Sequence, residues 1–110
     1  MNELSICIPC REQVYSEFAY SLAELTAELT HAGIKHTVHM RKGSMLPEQR
    51  AHLVTEALEI GSSYILWLDS DMTFPSDIYQ LLRRQDQDII ACTYSTKDNR
   101  NMSVAFRELN

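Results

Sequence analysis

Tyr64-Ile65-Leu66-Trp67-Leu68-Asp69-Ser70-Asp71-Met72-Thr73-Phe74-Pro75 is the stretch on which the reading of this chain turns. Its first five residues are a continuous apolar run of the kind that suits a strand buried on both faces. Two carboxylates one residue apart follow at the C-terminal end of that strand. Pro75-Ser76-Asp77 then opens a helix that runs through Leu81 and Leu82 to about Arg84.

Working towards the N-terminus, residues 48 to 60 read as a helix, with Pro47 at a first helical position and Ala51, Val54, Ala57 and Leu58 on one face. Gly61 ends it. Before the polar loop Arg41-Lys42-Gly43-Ser44, the segment from Ile34 to Met40 alternates Ile34, His36, Val38 and Met40 against Lys35, Thr37 and His39, which is strand periodicity. From Gln13 to His31 the apolar positions Val14, Phe18, Leu22, Leu25 and Leu29 fall three or four apart, as in an amphipathic helix, and Gly33 sits where a left-handed cap is wanted. Leu4 to Ile8 reads as a strand ended by Pro9. Towards the C-terminus, Ile89 to Tyr94 is a further strand and Ser103 to Phe106 begins one more. Strands and helices alternate, so the expected fold class is α/β, with a mostly parallel sheet and flanking helices in one domain over residues 1–110. Ligands of such sheets bind beyond the C-terminal ends of the strands, near a topological switch point, and Asp69 and Asp71 lie at such an end.

The chain has 110 residues, a hydrophobic fraction of 45% and a formal net charge of -5. That length allows one domain, and that apolar content supports a packed core and excludes a disordered chain. The negative balance opposes general binding to a phosphate backbone. No apolar run approaches the roughly 20 residues that span a bilayer. The start Met1-Asn2-Glu3 lacks the basic region and long apolar stretch of a secretory signal, so a cytoplasmic protein is expected. Cys7 and Cys10 have redox-pair or zinc-pair spacing. Cys7 falls inside a strand, however, and the remaining cysteine, Cys92, supplies no second pair, so buried or loop thiols in a reducing compartment are expected.

The Asp69-x-Asp71 pair is the main chemical signal. Two neighbouring carboxylates repel, and a cation is the natural way to hold them together. Hard oxygen ligands suit Mn²⁺ or Mg²⁺, and such an ion also grips a diphosphate and stabilises its charge as a leaving group. Turn formation or helix capping before Pro75 is the plainer alternative for the two aspartates.

These residues resemble the strand and metal turn of family 2 glycosyltransferases and related nucleotide-diphospho-sugar transferases of the GT-A fold. Gly43, Arg50-Ala51, Ala57 and Gly61 are similar to the family's stretch from a glycine loop through an arginine-containing helix into the metal strand. Ser5-Ile6-Cys7-Ile8-Pro9 resembles its first strand. The resemblance spans roughly Leu4 to Thr96 and is specific only in its central block. It implies that Asp71 ligates the metal directly, and that Asp69 contacts the ribose or reaches the metal through water. Pro9, Cys10 and Arg11 would line the nucleoside pocket, and Arg50 would approach the diphosphate, where a guanidinium fits phosphate in bidentate geometry. An ordinary surface ion pair is the equal alternative for Arg50. The implied donor is a UDP- or GDP-sugar, and the acceptor an unidentified glycan, lipid or protein.

The chain departs from the family's pattern in three places. Ala51 stands where asparagine is common, no acidic residue for the base pocket is identifiable near the second strand, and no residue can be assigned as catalytic base. A chain without the family's acceptor-binding part would leave apolar surface that favours a homodimer. A donor-binding module without turnover is therefore the main rival reading. Asp69-Ser70-Asp71-Met72-Thr73 also resembles the first motif of haloacid-dehalogenase-type phosphatases, but three strands precede or include it and no later acidic pair follows. A nucleotidyltransferase would want glycines in Pro9-Cys10-Arg11-Glu12, and there are none.

The remaining polar residues carry weaker signals. His31, His36, His39 and His52 are scattered and read as surface or partly buried. Arg83-Arg84 reads as a solvated helix end, and Trp67 as core rather than a sugar platform. Thr93 to Lys97 is expected at the same end of the sheet as the metal turn, where Tyr94 and Lys97 would meet donor or acceptor unless the segment is simply a polar loop.

Overall fold

A computed structural model describes residues 2–10, 13–43, 46–85, 89–95 and 101–108, the backbone alone for residues 46, 89–95 and 101–108. The elements in chain order are β1 (Leu4–Cys10), α1 (Ser16–His31), β2 (His36–Lys42), α2 (Leu46–Glu59), β3 (Tyr64–Trp67), α3 (Ile78–Arg83), β4 (Ile89–Ser95) and β5 (Asn101–Glu108). They form one sheet in the order β2-β1-β3-β5-β4.

β1 pairs in parallel with β2 and β3. β5 is antiparallel to both β3 and β4, so β4 points the same way as the three parallel strands. The parallel part thus comprises three strands, and the sheet as a whole is mixed rather than mostly parallel. β5 follows β4 in the chain and pairs with it antiparallel, an arrangement that needs no crossover helix.

β1 is buried along its whole length, and its alternate residues serve two cores. Leu4, Ile6 and Ile8 meet Phe18, Leu25 and Leu29 of α1 and Ile78, Tyr79 and Leu82 of α3. Cys7, with Ile65 of β3, meets Leu53 and Ala57 of α2. Because α1 and α2 cover opposite faces, the chain steps outward from β1 to β2 and then back past β1 to β3. The switch point lies between β1 and β3.

Several expectations shift in detail. Pro9 does not end β1, which pairs with β2 through Cys10↔Lys42. The carbonyl of Cys7 accepts from Leu68 N–H at 3.1 Å. Pro9 therefore faces the same side two residues further on, beyond the end of β3, and its missing N–H leaves no partner unpaired. The buried stripe of α2 is Gln49, Leu53 and Ala57 with Val54 alongside, whereas Ala51 and Leu58 are exposed. In β2, Val38 and Met40 are 37% and 47% exposed and His39 is buried. Val38 and Met40 lie level with Ile6 and Ile8 but on the edge strand, where the helix covering β1 leaves them in solvent. Gly33 and Gly61 end α1 and α2 at φ +76° and +75°, as left-handed caps require. Among the described residues no helix is long and apolar enough to cross a membrane.

Candidate functional site

The Asp69-Ser70-Asp71 turn leaves the C-terminal end of β3 directly beside the switch point. Leu68 before it and Met72 and Phe74 after it are buried, so apolar anchors on both sides hold the polar turn at the protein surface. Phe74 packs edge-on against Phe18 of α1, with ring centroids 5.8 Å apart. The carbonyl of Ser70 accepts from Tyr15 N–H at 3.1 Å, which ties the turn to the segment entering α1.

Asp69 and Asp71 are both partly exposed. Burial raises the Asp69 carboxyl above the ordinary carboxylate range, the Arg50 guanidinium pulls it back down, and the negative charge of Asp71 pushes it up again. Arg50 comes from the second turn of α2. Its guanidinium carbon lies 5.1 Å from the centroid of the Trp67 ring, and Nη2 stands 3.8 Å from Asp69 Oδ1. Trp67, the last residue of β3, is half-buried. One side packs on the α2 core and its ring carries Arg50. It is thus not a plain core residue, since its ring also carries the arginine. Among the described residues no group of three or more His, Cys, Asp or Glu converges. The aspartate pair supplies two hard oxygen donors, and a ligand's oxygens would complete a cation's shell.

Pro9 and Cys10 reach the same end of the sheet, but both are buried. The Cys10 thiol donates to the Arg41 carbonyl at 3.6 Å, and the Cys10 carbonyl accepts from Gly43 N–H at 3.1 Å. At these strand ends, where ligands of such sheets bind, they lie covered rather than forming an open wall. Arg11 lies outside the described residues, as do residues 96–100 and the side chain of Tyr94. The backbone of β4 nevertheless overhangs β3. Ala105 of β5 stands opposite both Trp67 and Ala91, and β4 continues four residues further to Ser95 on the strand-end side. Cys7 is no redox partner for Cys10. Three residues along a strand place them on opposite faces, and burial, aided by the charge of Glu56, pushes the Cys7 thiol up to about 12.

His39, read as surface or partly buried, is buried, and Arg83, read as a solvated helix end, is exposed but partnered. His39 Nε2 lies 2.9 Å from Ser5 Oγ and Nδ1 lies 3.5 Å from Glu56. Arg83 stacks 4.2 Å from the Tyr64 ring centroid and pairs with Glu3 at 3.2 Å, at the opposite end of the sheet from Asp69. His31 and His52 are exposed and His36 is partly buried, as expected. An open depression lined by Asn2, Thr30, Gly33, Ile34, Lys35 and His36 also lies at that opposite end. Gln49, buried on α2, and Gly43, after β2, lie at the same strand ends as Cys10. Only a polar residue at a core position of the α2 stripe marks Gln49 in the sequence.

No protein-family model matches the chain, and no curated protein matches it significantly. Among solved structures, protein A197 from STIV superposes with a TM-score of 0.58 at 14% identity over 97% of this chain and 65% of its own. A protein of Desulfovibrio desulfuricans G20, provisionally named a nucleotide-diphospho-sugar transferase, superposes with a TM-score of 0.57 at 16% identity over 97% of this chain. The chain spans 65% and 64% of the length of these two proteins. Likeness at this level of identity concerns the fold alone: the chain shares the α/β fold of these two proteins, and its own aspartate turn stands at the switch point of the sheet.

Proposed function

We propose that the chain binds a nucleoside-diphosphate sugar through Mn²⁺ or Mg²⁺ held at Asp71 and Asp69, and that it transfers the sugar to a glycan, lipid or protein acceptor. The observation that carries this reading is the aspartate turn itself. It has two carboxylates at the end of β3, one of them raised by burial and by its neighbour's charge, with a stacked guanidinium 3.8 Å away. Such a site is short of positive charge without a cation and supplies donors of the right hardness for one. Bound there, the ion would offset the charge that grows on the departing diphosphate. Arg50, stacked on Trp67, would donate to a diphosphate oxygen in exchange for Asp69. The likeness to the Desulfovibrio protein supports the same donor class.

The test is calorimetric titration with UDP and GDP, with and without Mn²⁺, on wild type and Asp71→Ala. Metal-dependent binding that disappears in Asp71→Ala is the expected result. A folded wild type that binds no nucleotide sinks the reading. Turnover is then tested with the sugar form of whichever nucleotide binds.

A further inference from the structure

Gln49 is 5% exposed, and neither Nε2 nor Oε1 has a hydrogen-bond partner among the described residues. A buried amide with both ends unpaired is costly, and native proteins seldom keep one without a use. Its position points to that use. Gln49, Leu53 and Ala57 form one stripe of α2, and Leu53 and Ala57 pack over Cys7 and Ile65. α2 starts after the end of β2 and leads back to the start of β3. One turn towards its N-terminus therefore moves the stripe beyond Cys7, to the strand ends where Cys10 and Asp69 lie. The next residue in the chain, Arg50, reaches Asp69 at 3.8 Å.

The amide is seated against Gly43. A methyl group on Gly43 would stand 2.9 Å from Gln49 Nε2, and the backbone there has φ +154°. Gly43 in turn is bonded through its N–H to the Cys10 carbonyl. A glycine thus leaves the space that an unpaired carboxamide occupies, at the strand ends where Cys10 lies. The pair of vacant functions also limits what would satisfy it. Nε2 needs an acceptor and Oε1 needs a donor, side by side. A diphosphate offers acceptors only. The edge of a nucleobase offers both, as in the N3–H and O4 of uracil or the N1–H and O6 of guanine.

We propose that Gln49 is a recognition residue for the nucleobase of the donor, pairing its carboxamide with the hydrogen-bonding edge of the base at the strand ends where Pro9, Cys10 and Gly43 lie. This rests on the nucleotide reading given above and adds the group that reads the base. Because a carboxamide is able to rotate, Gln49 accepts more than one base.

The experiment titrates wild type, Gln49→Met and Gln49→Asn with UDP, GDP, CDP and ADP and with inorganic pyrophosphate, all with Mn²⁺, and records thermal unfolding of each without ligand. Methionine keeps the volume and removes the polar atoms. Asparagine keeps the amide and withdraws it. The expected result is that both variants lose about tenfold or more in affinity for the preferred nucleotide, that pyrophosphate binding is unchanged, and that Gln49→Met melts no lower than wild type. Unchanged nucleotide affinity in either variant overturns the proposal. So do parallel losses of nucleotide and pyrophosphate, or a lowered melting temperature in Gln49→Met. A wild type that binds no nucleotide overturns the underlying reading along with this one, whereas normal binding by both variants overturns this one alone.

Discussion

The two faces of the sheet are built from different materials. Among the described residues, the face under α1 and α3 carries a large apolar cluster of leucine, isoleucine and aromatic side chains. The face under α2 has a small apolar patch, and polar groups flank it at both ends. At the strand ends stand Gln49, Arg50 and Asp69. Towards the strand starts, Asn2, Ser62, Ser5, His39 and Glu56 form a hydrogen-bonded line. Burial of apolar area is non-directional and stabilises wherever it occurs, while a buried polar group stabilises only with its partner in place. The first face therefore holds the fold together, and the second holds side chains in chosen positions at a cost in stability.

Truncations test that division most directly. Phe18→Ala removes a fully buried ring that also braces Phe74, three residues beyond Asp71. It is expected to cost about 3–5 kcal/mol, a large share of the roughly 5–15 kcal/mol that holds a domain together. Leu53→Ala on the α2 face should cost less, towards the lower end of about 2–5 kcal/mol, because its smaller cluster has fewer neighbours to leave stranded. Urea unfolding of the two variants compares them. Equal costs would mean that the faces contribute alike.

The polar line gives the next effect. Asn2 Nδ2 donates to Ser62 Oγ at 2.6 Å while its Oδ1 accepts from Thr37 at 3.0 Å, which fixes the orientation of the amide. Ser5 Oγ lies 2.6 Å from Ser62 Oγ, where either hydroxyl is able to donate, and 2.9 Å from His39 Nε2. The Glu56 carboxylate beside Nδ1 favours an imidazole that carries its proton there and accepts from Ser5 at Nε2. Ser5→Ala interrupts the line at its centre and should cost about 1–3 kcal/mol. Nitrogen chemical shifts of His39 should report the Nδ1–H tautomer in wild type and a mixture in the variant. An Nε2–H imidazole in wild type would reverse the assignment.

How much of this contrast is legible in the sequence follows from how local each feature is. The helix of α1 is readable because Phe18, Leu25 and Leu29 repeat within one segment, and the turn at Asp69 because it follows an apolar run. The burial of His39 is not. Alternation in β2 is the same whichever set of side chains faces inward, and only the register with β1, on a sheet edge, decides it. The insertion of β5 between β3 and β4 is a pairing across some 40 residues, which periodicity cannot express. Gln49 is obscured for another reason. A polar residue in an apolar stripe looks like the end of the stripe, so the expected face of α2 shifts to Ala51 and Leu58, both of which prove exposed.

At the boundary of the two faces the effects on stability become small and those on binding grow. Arg50 is about half exposed and its partner Asp69 about a third. Arg50→Ala should therefore change stability by under about 1 kcal/mol while weakening nucleotide binding clearly. Arg50→Lys should recover little of that binding, since an ammonium loses both the flat stack on Trp67 and the forked contact. Full recovery by lysine would reduce the role of Arg50 to its charge.

The smallest effect is the pH dependence that Asp69 contributes in chelator. Its carboxyl is raised above the ordinary range, first by burial, so the native state holds that proton more tightly than the unfolded chain does. Stability from this group is present below the ordinary carboxylate pKa of about 4 and falls as pH rises through the raised value, leaving a constant penalty at neutral pH. Asp69→Asn removes the ionisation, so the variant should melt slightly above wild type at pH about 7, and the difference should close on acidification towards pH about 4. Mn²⁺ should act in the opposite sense on wild type alone. A cation favours the ionised carboxylate, so adding it at neutral pH should raise the wild-type melting temperature and leave Asp69→Asn nearly unmoved. If the variant melts lower than wild type in chelator, the carboxylate is satisfied by the protein itself, and the aspartate turn belongs with the structural face of the sheet rather than with its working end.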